Sequence, residues 1–72
     1  MAKRNYVQIY SDILEVCKDG ARKSEIVYKA NLNPKKVEKY LDNLKKSDLI
    51  APPTKGSRLF KTTDRGIIFL NY

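Results

Sequence analysis

The sequence predicts a mainly helical α+β domain: a three-helix core, a short β-hairpin and a final helix. Three observations predict it. Apolar residues recur at steps of three and four over the first and third quarters of the chain. A proline follows an asparagine at the start of the second of these stretches. The period then changes, and a Pro/Gly-containing loop separates two short apolar runs.

Each element has its own signal. From Tyr6 to Cys17 the residues Tyr6, Ile9, Tyr10, Ile13, Leu14, Val16 and Cys17 trace one broad apolar helical face. Gly20 suits the left-handed position that ends helices, and Ala21-Arg22 make a short extended link. Ser24, or Lys23 before it, opens a second helix of two turns, with the Ser24 hydroxyl as its cap and Ile26, Val27 and Ala30 facing inward. Asn31-Leu32-Asn33 is a turn with Leu32 as apolar plug. Asn33-Pro34 is a strong helix start, because the side chain caps the first turn and proline needs no partner for its absent N–H.

The third helix runs from Pro34 to Lys46. Steps of 100° gather Val37, Tyr40, Leu41 and Leu44 on one side, and Lys35, Lys36, Lys39, Asn43 and Lys46 on the other, with Asp42 at the edge. Leu49-Ile50-Ala51 and Arg58-Leu59-Phe60-Lys61-Thr62 read as two strands around the loop Pro52–Ser57, where Gly56 supplies the turn. The double proline keeps the pairing brief. Thr63-Asp64 caps a last helix, Arg65 to Asn71, which offers Ile67, Phe69 and Leu70 for packing.

Composition narrows what such a domain can do. A chain of 72 residues buries about 60% of its unfolded surface, enough for one small core, so residues 1–72 form one domain. Fifteen Lys and Arg against eight acids give a formal charge of +7, which attracts polyanions, nucleic acid foremost and an acidic membrane surface second. With one cysteine, Cys17, and no histidine, an internal disulfide is impossible and a zinc site lacks ligands. Cys17 sits on the apolar stripe and reads as a core residue. No cofactor, metal or small-molecule ligand is implied. The absence of histidine, of a metal set and of a Gly-rich phosphate loop argues against an enzyme. The N-terminus has no signal-peptide stretch and no run is long enough to span a membrane, so a cytoplasmic, nucleoid location is expected.

Helix, short strand, helix, helix, strand, strand, helix is the order of a winged helix-turn-helix. The residues also resemble a family. Gly20-Ala21-Arg22-Lys23-Ser24-Glu25-Ile26-Val27-Tyr28-Lys29-Ala30-Asn31-Leu32-Asn33, then Tyr40-Leu41-Asp42-Asn43-Leu44, then Thr63-Asp64-Arg65-Gly66 with Phe69-Leu70 resemble the archaeal winged-helix regulators and chromatin proteins. The likeness runs from Ile9 onward. It departs at Asp48, where such proteins carry glycine after the recognition helix, and at Thr62, a place usually apolar. Members often extend the last helix into a dimerising arm; here the chain stops at Tyr72, so either the partner surface lies elsewhere or an arm has been removed.

The resemblance implies double-stranded DNA as partner, in transcriptional regulation or nucleoid organisation. Helix 34–46 would enter the major groove, and wing 52–60 would lie on the backbone or minor groove. Carried over, Lys35, Lys36, Lys39 and Asn43 face the bases, while Lys23, Ser24, Tyr28, Lys46, Lys55 and Arg58 face phosphates. With no arginine on the recognition helix, modest sequence specificity with a large electrostatic share is expected. Tyr28 has a second reading as cover for the core edge, and Tyr40 reads as buried. Tyr6, Tyr10 and Tyr72 are candidates for a homodimer or packing surface on the terminal helices, and Lys3 and Arg4 read as a tail adding nonspecific attraction. The alternative function is a winged-helix protein–protein interaction module within a larger complex, since fold does not fix function.

Overall fold

The computed structural model describes residues 5–71. Lys3, Arg4 and Tyr72, to which the sequence assigns a tail and a dimer contact, lie outside the described residues. The elements are α1 (Tyr6–Val16), α2 (Lys23–Lys29), α3 (Pro34–Lys46), β1 (Ile50–Ala51), β2 (Lys61–Thr62) and α4 (Asp64–Leu70). Ile13, Leu14 and Cys17 from α1 and its cap, Ile26 from α2, and Val37, Leu41 and Leu44 from α3 meet in one core with Ile50. Burial pushes the Cys17 thiol up to about 12, reinforced by the nearby Glu25 charge, as befits a packing residue.

Caps set the helix boundaries. The Asn5 side chain accepts from the Gln8 N–H at 2.8 Å, and the Asn33 side chain accepts from the Lys35 N–H at 2.9 Å with Pro34 in the first turn. The expected Ser24 cap is corrected. The second helix begins at Lys23, the cap residue is Arg22, and Ser24 lies inside the first turn. Glu25, three residues on, accepts from the N–H of the cap residue Arg22 at 3.3 Å.

Both α2 and α3 end in the same way. Asn31 (φ 54°) and Asp48 (φ 59°) take the left-handed conformation. The next residues close the motif, Leu32 N–H to the Val27 carbonyl and Leu49 N–H to the Leu44 carbonyl, each at 3.0 Å. Asp48 thus adopts the backbone conformation that glycine would supply. Asp is one of the few residues that tolerates it.

The hairpin is shorter than the sequence suggests. Ile50 pairs with Thr62 and Ala51 with Lys61, and pairing stops there because Pro52 and Pro53 have no N–H to donate. Arg58 and Leu59 are therefore not strand. Phe60 instead bridges the extended link at Ala21, through bonds of 2.8 and 2.9 Å.

Thr62, the residue out of keeping with an apolar position, is buried and fully used. Its hydroxyl donates to the Leu14 carbonyl at 2.6 Å and its N–H to the Cys17 carbonyl at 3.1 Å, tying the hairpin to the end of α1. Thr63 caps α4, its hydroxyl accepting from the Gly66 N–H at 3.1 Å and donating to the Asp48 carbonyl at 2.7 Å. Gly66 is buried against the Leu49 carbonyl and the Thr62 methyl, with no room for a Cβ. The final helix starts one residue earlier than expected, and Asn71 is its C-cap.

Candidate nucleic-acid interface

The outward side of α3 is set by its inward side. With Val37, Tyr40, Leu41 and Leu44 buried, the 3.6-residue period turns Lys35, Lys39, Asp42 and Lys46 to solvent. Lys36 and Asn43 lean toward α1, where with Lys39 they line a pocket closed by Tyr6, Tyr10 and Tyr40. Glu38 leans the other way and pairs with Lys23 of α2. That neighbour holds the exposed Glu38 carboxyl below its usual range, first through the hydrogen bond and then through charge.

The charges on this helix are unevenly free. Lys35, Lys36 and Lys39 in its first half make no ion pair among the described residues. In the second half, Asp42 sits 3.9 Å from Lys45 and 3.6 Å from Lys46. These exposed pairs add little stability, but they lower the charge that half presents.

A second cationic region lies beside α2. Arg22, Lys23, Ser24, Pro53, Ser57, Arg58 and Phe60 line a cleft of about 400 Å³ between the start of that helix and the hairpin loop. The loop is shaped by a turn in which the Ser57 N–H donates to the Thr54 carbonyl at 2.9 Å and Gly56 takes φ +84°. Ser57 then accepts from the Leu59 N–H at 3.2 Å, which fixes the chain beside Arg58.

The sequence-assigned residues therefore fall into groups. Lys23, Ser24 and Arg58 share the cleft. Lys36, Lys39 and Asn43 share the tyrosine-lined pocket. Lys35 is on the outer face and lines neither, Lys55 is exposed on the loop, and Lys46 lies roughly 17 Å along the helix from Lys35. Tyr28 is 84% exposed and does not cover the core edge. Arg22 was missed by sequence reasoning, although its position next to Lys23 was the available signal.

Of the two roles open to Tyr10, dimer or packing surface, the structure shows packing. Its ring stacks edge-on against Tyr40 at 5.8 Å, and its hydroxyl accepts from the Asn43 amide at 3.2 Å. That bond also draws Asn43 toward α1. Tyr6 remains exposed.

A family model described as winged helix-turn-helix matches residues 3–72. The chain belongs to the winged helix-turn-helix family. In this fold α2 and α3 form the helix-turn-helix and the hairpin β1–β2 follows it. The chain is also similar to Sso10a-2, a DNA-binding protein from Sulfolobus solfataricus, whose crystal structure superimposes with a TM-score of 0.84. That match has 25% sequence identity and covers 94% of this chain and 73% of the other. Curated proteins provide no match. Among the described residues, no helix is long and apolar enough to cross a membrane, and no cluster of three or more His, Cys, Asp or Glu could hold a metal ion.

Proposed function

We propose that this winged helix-turn-helix protein binds double-stranded DNA, placing the N-terminal half of α3 in the major groove, as a transcriptional regulator or nucleoid-associated protein. The observation that carries this reading is the set of three lysines, Lys35, Lys36 and Lys39, that make no ion pair among the described residues and stand on an exposed helix face beside a cleft that adds Arg22, Lys23 and Arg58. A recognition helix contacts base edges chiefly through its N-terminal residues, and these lysines lie in that half. Arg22, Arg58 and Lys55 then serve the flanking phosphates, with Lys23 sharing its charge with Glu38. The DNA-binding description of Sso10a-2, which shares the fold, supports the same reading.

The side-chain chemistry favours electrostatic over sequence-specific binding. Lysine is a point charge without the bidentate fork of arginine, and the bond to Tyr10 draws the Asn43 amide toward α1. Affinity is therefore expected to vary little between random and A·T-rich duplexes and to fall steeply with salt. Each phosphate neutralised contributes a log–log slope of about −0.9.

Titration of both duplexes across a salt series, with the mass of the protein measured in solution, tests this. Lys35→Ala and Lys39→Ala are each expected to weaken binding several-fold at low salt and to lower the slope by about one. Parental affinity and slope in both variants would remove α3 from the interface.

A further inference from the structure

We propose that the pocket between α1 and α3 takes one unstacked nucleobase of a single-stranded nucleic acid. Tyr6 and Tyr10 lie one turn apart on the same side of α1, with ring centroids 6.0 Å apart. Tyr40 closes the group from α3, edge-on to both at 6.3 and 5.8 Å. Together with Lys36, Lys39 and Asn43 they line a cavity of about 290 Å³.

Packing accounts for Tyr40, which lies in the core, and for Tyr10, which packs against it, but not for Tyr6. Tyr6 leaves 66% of its surface to solvent and adds a ring at the mouth. A large exposed aromatic in the first turn of a helix gains little by folding there, but it offers a face on which a base can stack. Asn43 donates one amide hydrogen to the Tyr10 hydroxyl, which leaves its second hydrogen and its carbonyl oxygen for a base edge.

Charge selects among occupants. Rings set edge-on around a cavity also suit a quaternary or methylated ammonium. Here Lys36 and Lys39, which have no carboxylate partner among the described residues, stand on the rim, and they oppose a cation while attracting the phosphates on either side of a base. Bases within a duplex are stacked on both faces and cannot present one to Tyr6, so this site goes beyond duplex binding. It shares Lys36 and Lys39 with the duplex surface and adds the tyrosines as its own determinants.

The test compares short labelled oligothymidine, oligouridine and duplex DNA by anisotropy, with the parent, Tyr6→Ala, Tyr6→Phe and Lys35→Ala. The parent is expected to bind a single strand, and the tighter of the two strands identifies the preferred nucleic acid. Tyr6→Ala is expected to weaken single-strand binding about tenfold, in the range of one lost base stack, and duplex binding by less than about twofold. Tyr6→Phe keeps the stacking face and is expected to bind as the parent does. Because Tyr6 is exposed, circular dichroism of the alanine variant should match the parent.

NMR of the unaltered protein gives a second readout, with the ring signals of Tyr6, Tyr10 and Tyr40 shifting on addition of oligothymidine or oligouridine. The proposal is overturned if neither single strand binds, if those signals stay in place, or if Tyr6→Ala loses single strand and duplex equally. Parental duplex binding in both Lys35→Ala and Lys39→Ala strikes the duplex reading alone.

Discussion

The base of the hairpin and the first half of α3 are built on opposite terms. At the base, Thr62, Thr63 and Gly66 each satisfy two constraints at once. Thr62 bonds the Leu14 and Cys17 carbonyls, Thr63 caps α4 while holding the Asp48 carbonyl, and Gly66 leaves space for the Leu49 carbonyl. Along α3, Lys35, Lys36 and Lys39 have no intramolecular ion pair among the described residues. The difference separates residues that hold α3 in place from residues that the proposed reading assigns to DNA. Substitutions at the first are expected to change stability, and substitutions at the second to change affinity.

The sharpest break should come at Gly66→Ala. Its Cβ would collide with the Leu49 carbonyl oxygen and the Thr62 methyl, and backbone cannot retreat as a flexible side chain can. Such overpacking costs about 3 kcal/mol, which lowers the melting temperature by roughly 12 °C or more in a domain of this size. A thermal melt near that of the parent would show that the base of the hairpin is loose.

Thr62→Val is nearly the same shape but removes the donor to the Leu14 carbonyl. Leaving a buried acceptor without that partner costs about 1–2 kcal/mol. Urea unfolding should show this loss with an unchanged slope, while DNA affinity measured on folded protein stays parental. If Thr62→Val weakened DNA binding under folded conditions, scaffold and surface would not be separable.

The smallest effect is expected from Asp42→Asn, which releases Lys45 and Lys46 in the second half of α3. Stability should change by less than about 0.5 kcal/mol, since exposed pairs contribute little. Duplex affinity should rise by about two- to threefold at low salt, with the gain vanishing as salt screens it. An unchanged affinity at every salt concentration would place that end of the helix away from DNA and confine contact to the first half.

Much of the fold was legible from local chemistry. Asn33-Pro34 fixed the start of α3, the apolar stripe fixed its buried side, and Pro52-Pro53 announced that the strands would be brief. The site was legible only in part. Lysines opposite a buried stripe must face solvent, but their pairing depends on neighbours distant in sequence. Lys23 meets Glu38 fifteen residues on, and Asn43 meets Tyr10 thirty-three residues back. No periodicity foretells either contact. Ser24 misled because a hydroxyl near a helix start is a common cap, while here the carboxylate of Glu25 reaches the first free N–H.

By itself the sequence determined which helices form, which of their faces turn inward, and that an excess of cations remains outside. These follow from hydrophobic period, caps and prolines, all of which act over a few residues. Only the tertiary structure decided which cations are free, that Thr62 is a buried tie rather than an apolar filler, and that Tyr6, Tyr10 and Tyr40 meet across two helices. Those outcomes depend on how α1, α3 and the hairpin lie against one another, because a charge or a ring takes its role from whatever the fold brings within a few ångströms.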